Sequence, residues 1–290
     1  MLKENQGKLQ CGLIGLGRFG QNYLRLLQNI EGAVLRATAN HSNVADIFSD
    51  PLIEAIFIVT PPSTHFELIE KGLRAGKHVF TEKPMVLSTD DTEKLKTLVG
   101  QSGKTFMVGF QYLFNENIRH IKREIESGAF GNILSVKSEH VLSPSRSDID
   151  IFWDAAPHPL SVFQFVFKPK KLLAVEGKIE HEKASVRIYF ENVPTLEIAA
   201  SSFGDEKVRK LKIVGEKAAA VLDETLECNK LAVLEKGKIF YPEIKSVETL
   251  RAEIEHFIHC IKTGETPLAD IGFGSQITEW LETVSKKLAK

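Results

Sequence analysis

Residues 9–27 read LQCGLIGLGRFGQNYLRLL, and this stretch decides the fold of the N-terminal half of the chain. It begins with an apolar run suited to a buried strand, and the pattern G-x-G-x-x-G follows directly at residues 15–20. Apolar residues then recur at helical spacing from Phe19 to Ile30. A strand, a glycine turn and an amphipathic helix in this order predict a site for a dinucleotide pyrophosphate, because backbone N–H groups at a helix N-terminus bind phosphate oxygens.

Further apolar runs alternate with helical patterns through the first part of the chain. Parallel strands that are buried on both faces read as nearly continuous apolar runs. We therefore predict an α/β domain built on a parallel Rossmann sheet. The predicted strands cover residues 9–16, 34–39, 55–60, 78–81 and 105–109, and the predicted helices that follow them cover 65–75 and 90–98.

The pattern changes after about residue 114, where alternating stretches replace the apolar runs. Alternation with a period of two predicts an open, mostly antiparallel sheet that has one face toward a core or a partner. We expect a dinucleotide-binding domain at 1–114 and a second α/β domain at 115–290, whose last helix, about 273–288, can pack back on the first domain. The alternating stretches are 133–140, 172–181, 184–190, 195–202, 210–214 and 218–222, after a helix at 117–128.

Composition excludes several classes of function. The 290 residues carry a net charge of −1, which gives no reason to expect nucleic acid or an anionic membrane as a partner. No apolar run is long enough to span a bilayer, and the polar N-terminus does not resemble a signal peptide. The three cysteines lie far apart, so we expect no disulfide framework and a reducing cytoplasm. His256 and His259 edge an apolar helix stripe, and we expect no metal site there.

Lys83 lies in the run Thr81-Glu82-Lys83-Pro84 at the end of the predicted fourth strand. Ligands bind at the carboxyl ends of the strands in open α/β sheets, whereas a surface lysine in a turn is the alternative reading. A lysine that is partly removed from water can exchange a proton near neutral pH. Pro84 fixes the backbone, and a cis bond before it suits a tight turn.

Asp154 and His158 form a second cluster about 70 residues further along the chain. On a regular helix their spacing of four places them on one face, so Asp154 could orient a histidine that exchanges a proton. The alternatives are that Asp154 caps or precedes the helix that Pro157 begins, and that His158 is a buried, hydrogen-bonded imidazole. Arg146, in a polar loop before this cluster, could bind a substrate phosphate or carboxylate.

Together these residues resemble the glucose–fructose oxidoreductase / inositol dehydrogenase / MocA family over nearly the whole length. The resemblance implies reversible oxidation of a sugar, polyol or nucleotide-sugar hydroxyl, and an open sheet that often forms a homodimer or homotetramer. In this family Lys83 and His158 would be the acid/base residues, with Asp154 supporting the histidine. The residues that carry the resemblance are 15–20, Thr60-Pro61-Pro62 with His65, Glu82-Lys83-Pro84, Asp154 with His158, and the ending from Glu253 to Pro267.

The resemblance also assigns binding residues. Asn40 ends the second strand where many members have an acid, so we expect NAD, with NADP possible. The expected cofactor-binding residues are Gly15, Gly17, Arg18, Phe19, Gly20, Asn40, Thr60, Pro61, His65, Glu82 and Lys83. The expected substrate-binding residues are Lys83, Gln111, Arg146, Asp154 and His158.

Two further departures from the family pattern have consequences. Ser161 replaces a common aspartate, which could remove a polar substrate contact. The span between Asn40 and Ala55 has room for one short helix or turn, so we expect the Rossmann sheet to be shortened on the adenosine side. Residues 146–158 are similar to members that act on nucleotide-linked sugars. A regulatory protein that binds the dinucleotide without catalysis is the alternative function.

Overall fold

The structure is a computed structural model, and it describes residues 7–40, 44–142 and 148–289. The chain divides into two compact units. The first comprises the described residues up to Gln111 together with Glu248–Glu279, and the second comprises Tyr112–Val247 with the described residues from Trp280 onward.

The first unit is built on a parallel sheet of five strands in the order β2-β1-β3-β4-β5. Strands β3 and β5 are buried along their whole length, and β1 and β4 at all but one residue each, which explains why they read as apolar runs. The predicted Rossmann sheet is confirmed, and among the described residues β2 is the last strand on its side, in agreement with the predicted shortening. The strands are β1 Leu9–Ile14, β2 Ala33–Ala39, β3 Ala55–Ile58, β4 His78–Glu82 and β5 Phe106–Gly109.

Helices connect the strands of this unit, and the described residues between β2 and β3 contain one helix, the short α2. Gly76 and Gly103 follow α3 and α4 with positive φ angles of 71° and 62°, the conformation in which helices commonly end. The helices are α1 Gly20–Leu27, α2 Val44–Ser49, α3 His65–Arg74 and α4 Thr89–Ser102.

Two helices from the end of the chain, α8 Thr249–Thr263 and α9 Ile271–Leu288, also enter this unit. From the sequence we assign residues 248–279 to the second domain. The ring of Phe257 on α8 instead packs against Phe57 and Phe80 of the parallel sheet, with centroids 5.5 and 5.6 Å apart. This aromatic contact explains why α8 belongs with the Rossmann strands.

The second unit contains a sheet of eight strands in the order β13-β12-β11-β10-β6-β9-β8-β7. Neighbours are antiparallel except for β6 and β9, which run parallel. The predicted mostly antiparallel sheet is confirmed, although its last two strands were not predicted. The strands are β6 Ile133–Val141, β7 Leu172–Ile179, β8 Lys183–Phe190, β9 Thr195–Ser201, β10 Val208–Gly215, β11 Ala218–Asp223, β12 Leu231–Glu235 and β13 Lys238–Phe240.

Helices cover one face of this sheet. The rings of Phe163 and Trp280 pack on Phe190 of β8, with centroids 5.1 and 4.9 Å apart. Side chains on β8 alternate between exposed and buried, as expected of a sheet that is covered on one face only. None of the helices in the described ranges is long and apolar enough to cross a membrane. The helices of this unit are α5 Glu116–Glu126, α6 Ile151–Ala155 and α7 Pro157–Phe167, with the end of α9.

Candidate active site

The glycine turn after β1 has a backbone that only glycine fits at two positions. Gly15 has a φ of 103°, and a Cβ there would lie 2.3 Å from the carbonyl oxygen of Val59. A Cβ on Gly20 would lie 2.1 Å from the carbonyl oxygen of Gly15. At Gly17, by contrast, a Cβ would meet no described atom within 4 Å, so this glycine faces open space.

Helix α1 begins at Gly20, and no described side chain caps its N-terminus. The N-terminus of a helix attracts anions because its first N–H groups have no partner within the helix. The open space at Gly17 lies in the same turn. These residues therefore fit the pyrophosphate part of a dinucleotide.

The other residues predicted to bind the adenosine half lie around this turn. The Gly15 N–H donates to the carbonyl of Ala39 at 2.9 Å, so Asn40 follows directly beside the turn. Asn40, Arg18 and Phe19 are exposed, as expected of side chains that can contact a ligand from solution.

His65 connects the turns that follow β3 and β4. Its Nδ1 lies 2.9 Å from the carbonyl oxygen of Pro84 and its Nε2 lies 3.0 Å from that of Thr60. The imidazole is fully buried, whereas Pro61 is exposed. Thr60 is also a residue against which Gly15 packs. The sequence-predicted residues Gly15, Thr60, His65 and Pro84 are thus brought together at the carboxyl edge of the parallel sheet.

Lys83 lies half-buried immediately after β4, and its bond to Pro84 is cis. Its backbone N–H donates to Glu82 Oε2 at 3.0 Å. The other carboxylate oxygen of Glu82 accepts a hydrogen bond of 2.5 Å from the hydroxyl of Tyr23, which lies on α1. Glu82 is only 8% exposed, so a buried carboxylate accepts the hydrogen bonds that hold this turn.

Glu253 on α8 is a second buried acid beside this group, and no local motif in the sequence marks it as a functional residue. It is 0% exposed, and neither of its carboxylate oxygens has a partner with hydrogen-bond geometry among the described residues. Burial raises the pKa of Glu253 well above its ordinary value, and the charge of Glu82 raises it further. The pKa of Tyr23 is raised for the same two reasons. Burial among these groups therefore favours the neutral form of Glu253.

In the second unit, Asp150 caps helix α6. Its Oδ1 accepts a hydrogen bond of 3.0 Å from the Trp153 N–H. Asp154 does not cap α7, whose N-cap position is Ala156; it lies inside α6 and precedes α7, as one of the alternatives predicts. Ala156, between α6 and α7, keeps helical angles of −66° and −24°, so the backbone is nearly continuous from Asp154 to His158. Their spacing of four then places both residues on one helical face.

His158 lies half-buried in the first turn of α7, between two other rings. The edge of Tyr112 meets it with centroids 4.9 Å apart at 68°, and His140 stacks on it at 6.2 Å and 18°. Burial raises the pKa of Tyr112 to about 12, so its hydroxyl stays protonated at neutral pH. Ser161 is buried and donates to the carbonyl of His158 at 2.8 Å, so its side chain serves the helix.

The remaining candidates have varied locations. Gln111 is half-buried and begins a 3-10 turn after β5, at the end of the first unit. Arg146 lies outside the described residues. His256 Nε2 accepts a hydrogen bond of 3.0 Å from the Leu268 N–H and lies 3.5 Å from the Cys260 Sγ. Within the described ranges, no group of three or more His, Cys, Asp or Glu side chains could hold a metal ion.

Comparisons with known proteins agree with these features. A family model described as "Oxidoreductase family, NAD-binding Rossmann fold" matches residues 31–110. The scyllo-inositol 2-dehydrogenase (NAD(+)) of Bacillus subtilis (strain 168) is 24% identical, over 90% of this chain and 88% of that protein. The UDP-N-acetylglucosamine 3-dehydrogenase of Acidithiobacillus ferrooxidans is 26% identical, over 87% of this chain and 88% of that protein.

A solved structure of UDP-N-acetylglucosamine 3-dehydrogenase from Acidithiobacillus ferrooxidans has the same fold. It superimposes with a TM-score of 0.86 at 20% identity, over 97% of this chain and 98% of that chain. The family match, the two dehydrogenases and the glycine turn all indicate an enzyme with a nicotinamide dinucleotide as cofactor. In sequence and in fold the chain is thus similar to oxidoreductases of the glucose–fructose oxidoreductase / inositol dehydrogenase / MocA type, whose family model matches its residues 31–110.

Proposed function

We propose that this oxidoreductase transfers a hydride between nicotinamide C4 and a carbinol or carbonyl carbon of a sugar, a polyol or a nucleotide-linked sugar. One observation carries the proposal: half-buried Lys83 lies at the carboxyl edge of the same sheet as the glycine turn. That edge is where ligands bind in open α/β folds. The named activities of the two dehydrogenase relatives, on scyllo-inositol and UDP-N-acetylglucosamine, support this substrate class.

The protein's own part in the reaction is to align the substrate and manage one proton. The bound nicotinamide supplies the hydride acceptor for oxidation or the donor for reduction. As a C–H hydride leaves the carbinol carbon, Lys83 or His158 accepts the hydroxyl proton, so that a carbonyl forms. The other residue donates a hydrogen bond to the oxygen on which charge develops. Asp154 supports the imidazole from the preceding helical turn.

The remaining contacts follow the same scheme. We assign Gln111 and Arg146 to the substrate, with Arg146 suited to a phosphate or carboxylate. Asn40 is assigned to the adenosine ribose, which favours NAD because no arginine directly follows it to bind a 2′-phosphate. All three cysteines are free, which is in keeping with a reducing cytoplasm as the working compartment.

We also propose that two or more copies associate through the open face of the second sheet. The register pairs Leu234 with Ala219 on one side and with Ile239 on the other, so these residues share a face with Val221. Leu234, Ile239 and Val221 are 44%, 65% and 37% exposed. A contiguous apolar group of this kind commonly marks an association surface. Light scattering of the purified chain measures the number of copies.

Turnover of single variants tests the proposed chemistry. We expect Lys83→Met and His158→Ala each to lower kcat by at least about a hundredfold, the lower end of what general acid–base assistance contributes. The dinucleotide Kd should stay within about threefold of the wild type. Lys96→Met and His259→Ala remove exposed members of ion pairs and serve as matched controls.

The result also separates catalysis from regulation. A purely regulatory protein would bind the dinucleotide, yet none of the candidate substrates would be turned over. Near-normal turnover of the Lys83→Met protein on the substrate of the wild type would refute the assigned proton chemistry.

A further inference from the structure

Tyr112 and His140 confine the ring of His158 from two directions. Tyr112 lies in the 3-10 turn after β5, and His140 lies on β6 of the open sheet. The rings of Tyr112 and His158 pack edge-to-face at 68°, whereas His140 is nearly parallel to His158 at 18°. An edge contact and a stacked contact restrain different rotations of an imidazole. Together they leave His158 few orientations.

Both neighbours are themselves held in place. Tyr112 lines the same pocket as Arg209 of β10, and burial raises the pKa of its hydroxyl to about 12. His140 is only 6% exposed, and its Nε2 lies 2.9 Å from the hydroxyl of Ser138 on the same strand. The two rings that contact His158 thus come from the turn after β5 and from strand β6.

The space beside these rings is small. His158, His140, Tyr112 and Arg209 line a cavity of about 20 Å³. That volume is sufficient for about one water molecule and not for an imidazole ring. Its remaining walls are mostly apolar, including Leu211. The arrangement therefore favours a single ring orientation.

We propose that Tyr112 and His140 are positioning residues, which hold the His158 imidazole in the orientation required for proton exchange. The catalytic meaning of this inference rests on the proposed role of His158. The geometric part, that the two rings fix the imidazole, does not depend on any activity. A general acid or base must lie within hydrogen-bond reach of the proton that it transfers, so a misdirected imidazole lowers turnover more than it weakens substrate binding.

The test compares Tyr112→Leu with Tyr112→Phe, because phenylalanine keeps the ring edge and removes only the hydroxyl. The first measurement is the NMR signal of the His158 ring Cε1–H in protein labelled at its nine histidines, assigned with His158→Gln. In Tyr112→Leu we expect this signal to move toward the position of an unstructured histidine. In Tyr112→Phe it should stay near the wild-type position. Tyr241→Leu is the matched control, because Tyr241 is 52% exposed.

The second measurement is the steady-state kinetics of the same variants. We expect kcat to fall about tenfold or more in Tyr112→Leu with KM nearly unchanged, and to recover largely in Tyr112→Phe. His140→Leu should lower kcat in the same way and should also move the His158 signal, which provides a second variant if Tyr112→Leu does not fold.

The two measurements can refute the positioning of the ring and the proposed function independently. An unchanged His158 signal in folded Tyr112→Leu and His140→Leu proteins would overturn the inference, whatever the enzyme does. Equal loss of kcat in Tyr112→Phe and Tyr112→Leu would also overturn it, since the hydroxyl and not the ring would then matter. If the signal moves as expected and the wild type turns over no candidate substrate, the proposed function fails while the positioning of the ring stands.

Discussion

Gly17 offers a way to weaken cofactor binding without disturbing the fold. A Cβ added there meets no described atom within 4 Å, and φ at this residue is not in the left-handed region. Gly20 is the matched comparison, because a Cβ there would lie 2.1 Å from the backbone oxygen of Gly15. Gly17→Ala should therefore fold normally, whereas Gly20→Ala should have a markedly less stable fold.

The expected magnitudes differ in both quantities. Gly17→Ala should change the free energy of unfolding by at most about 1 kcal/mol, toward stabilisation, since alanine restricts the unfolded chain. Gly20→Ala should cost about 3 kcal/mol or more, at the upper end of overpacking effects. If the methyl group added in Gly17→Ala costs one hydrogen bond from a backbone N–H to the pyrophosphate, the loss is about 1.5–3 kcal/mol. That loss corresponds to a dinucleotide Kd roughly 10–150-fold higher.

Calorimetric titration with NADH, beside thermal unfolding of the free proteins, measures both quantities. The expected result is a weakened Kd for Gly17→Ala with an unfolding temperature within about 3 °C of the wild type. An unchanged Kd in a normally folded Gly17→Ala protein would refute the assignment of the open space at this turn to the pyrophosphate.

Two further predictions concern pH and cofactor choice. Because the pKa of Glu253 is raised above its ordinary 4.5 by burial and by Glu82, its contribution to stability is present below that pH and is lost as pH rises. The unfolding temperature of Glu253→Gln minus that of the wild type should thus increase from about pH 5 to about pH 9. The control is Glu255→Gln, at an exposed position on the same helix, whose unfolding temperature should follow that of the wild type over this range. A difference between Glu253→Gln and the wild type that stays constant with pH would contradict this prediction. In Asn40→Asp, a carboxylate that repels the 2′-phosphate should weaken NADPH binding at least about tenfold with little effect on NADH binding. Equal weakening of both would argue against the assignment of Asn40 to the adenosine ribose.

The parallel sheet was predictable because most of its strands are buried on both faces and read as apolar runs. The hairpin of β12 and β13 was missed for the opposite reason, since all three residues of β13 are exposed and show no alternation. A local signal was nevertheless present. Lys236 and Gly237 join the two strands with positive φ angles of 50° and 76°, the backbone of a tight hairpin turn, and glycine in such a position predicts it.

In the candidate site, too, some residues were predictable from the sequence and others were not. Motifs identified the glycine turn and Lys83, because their chemistry depends on residues that are close in sequence. The residues around them come from distant parts of the chain: Tyr23 and Glu253 reach Glu82 only after α1 and α8 have packed on the sheet. The cap at Asp150 is not predicted from the sequence, because the short helix α6 that it begins lies before the proline that begins α7.

Thermal unfolding with NAD(H) and NADP(H), each crossed with sugars, inositols and UDP-sugars, tests the central claim most directly. A ligand at a hundredfold excess over its Kd stabilises the folded protein by about 2.7 kcal/mol. We predict a rise in unfolding temperature with a nicotinamide dinucleotide and a further rise with at least one sugar-like compound. The absence of any shift with either dinucleotide would contradict the account of this chain as a nicotinamide-dependent oxidoreductase.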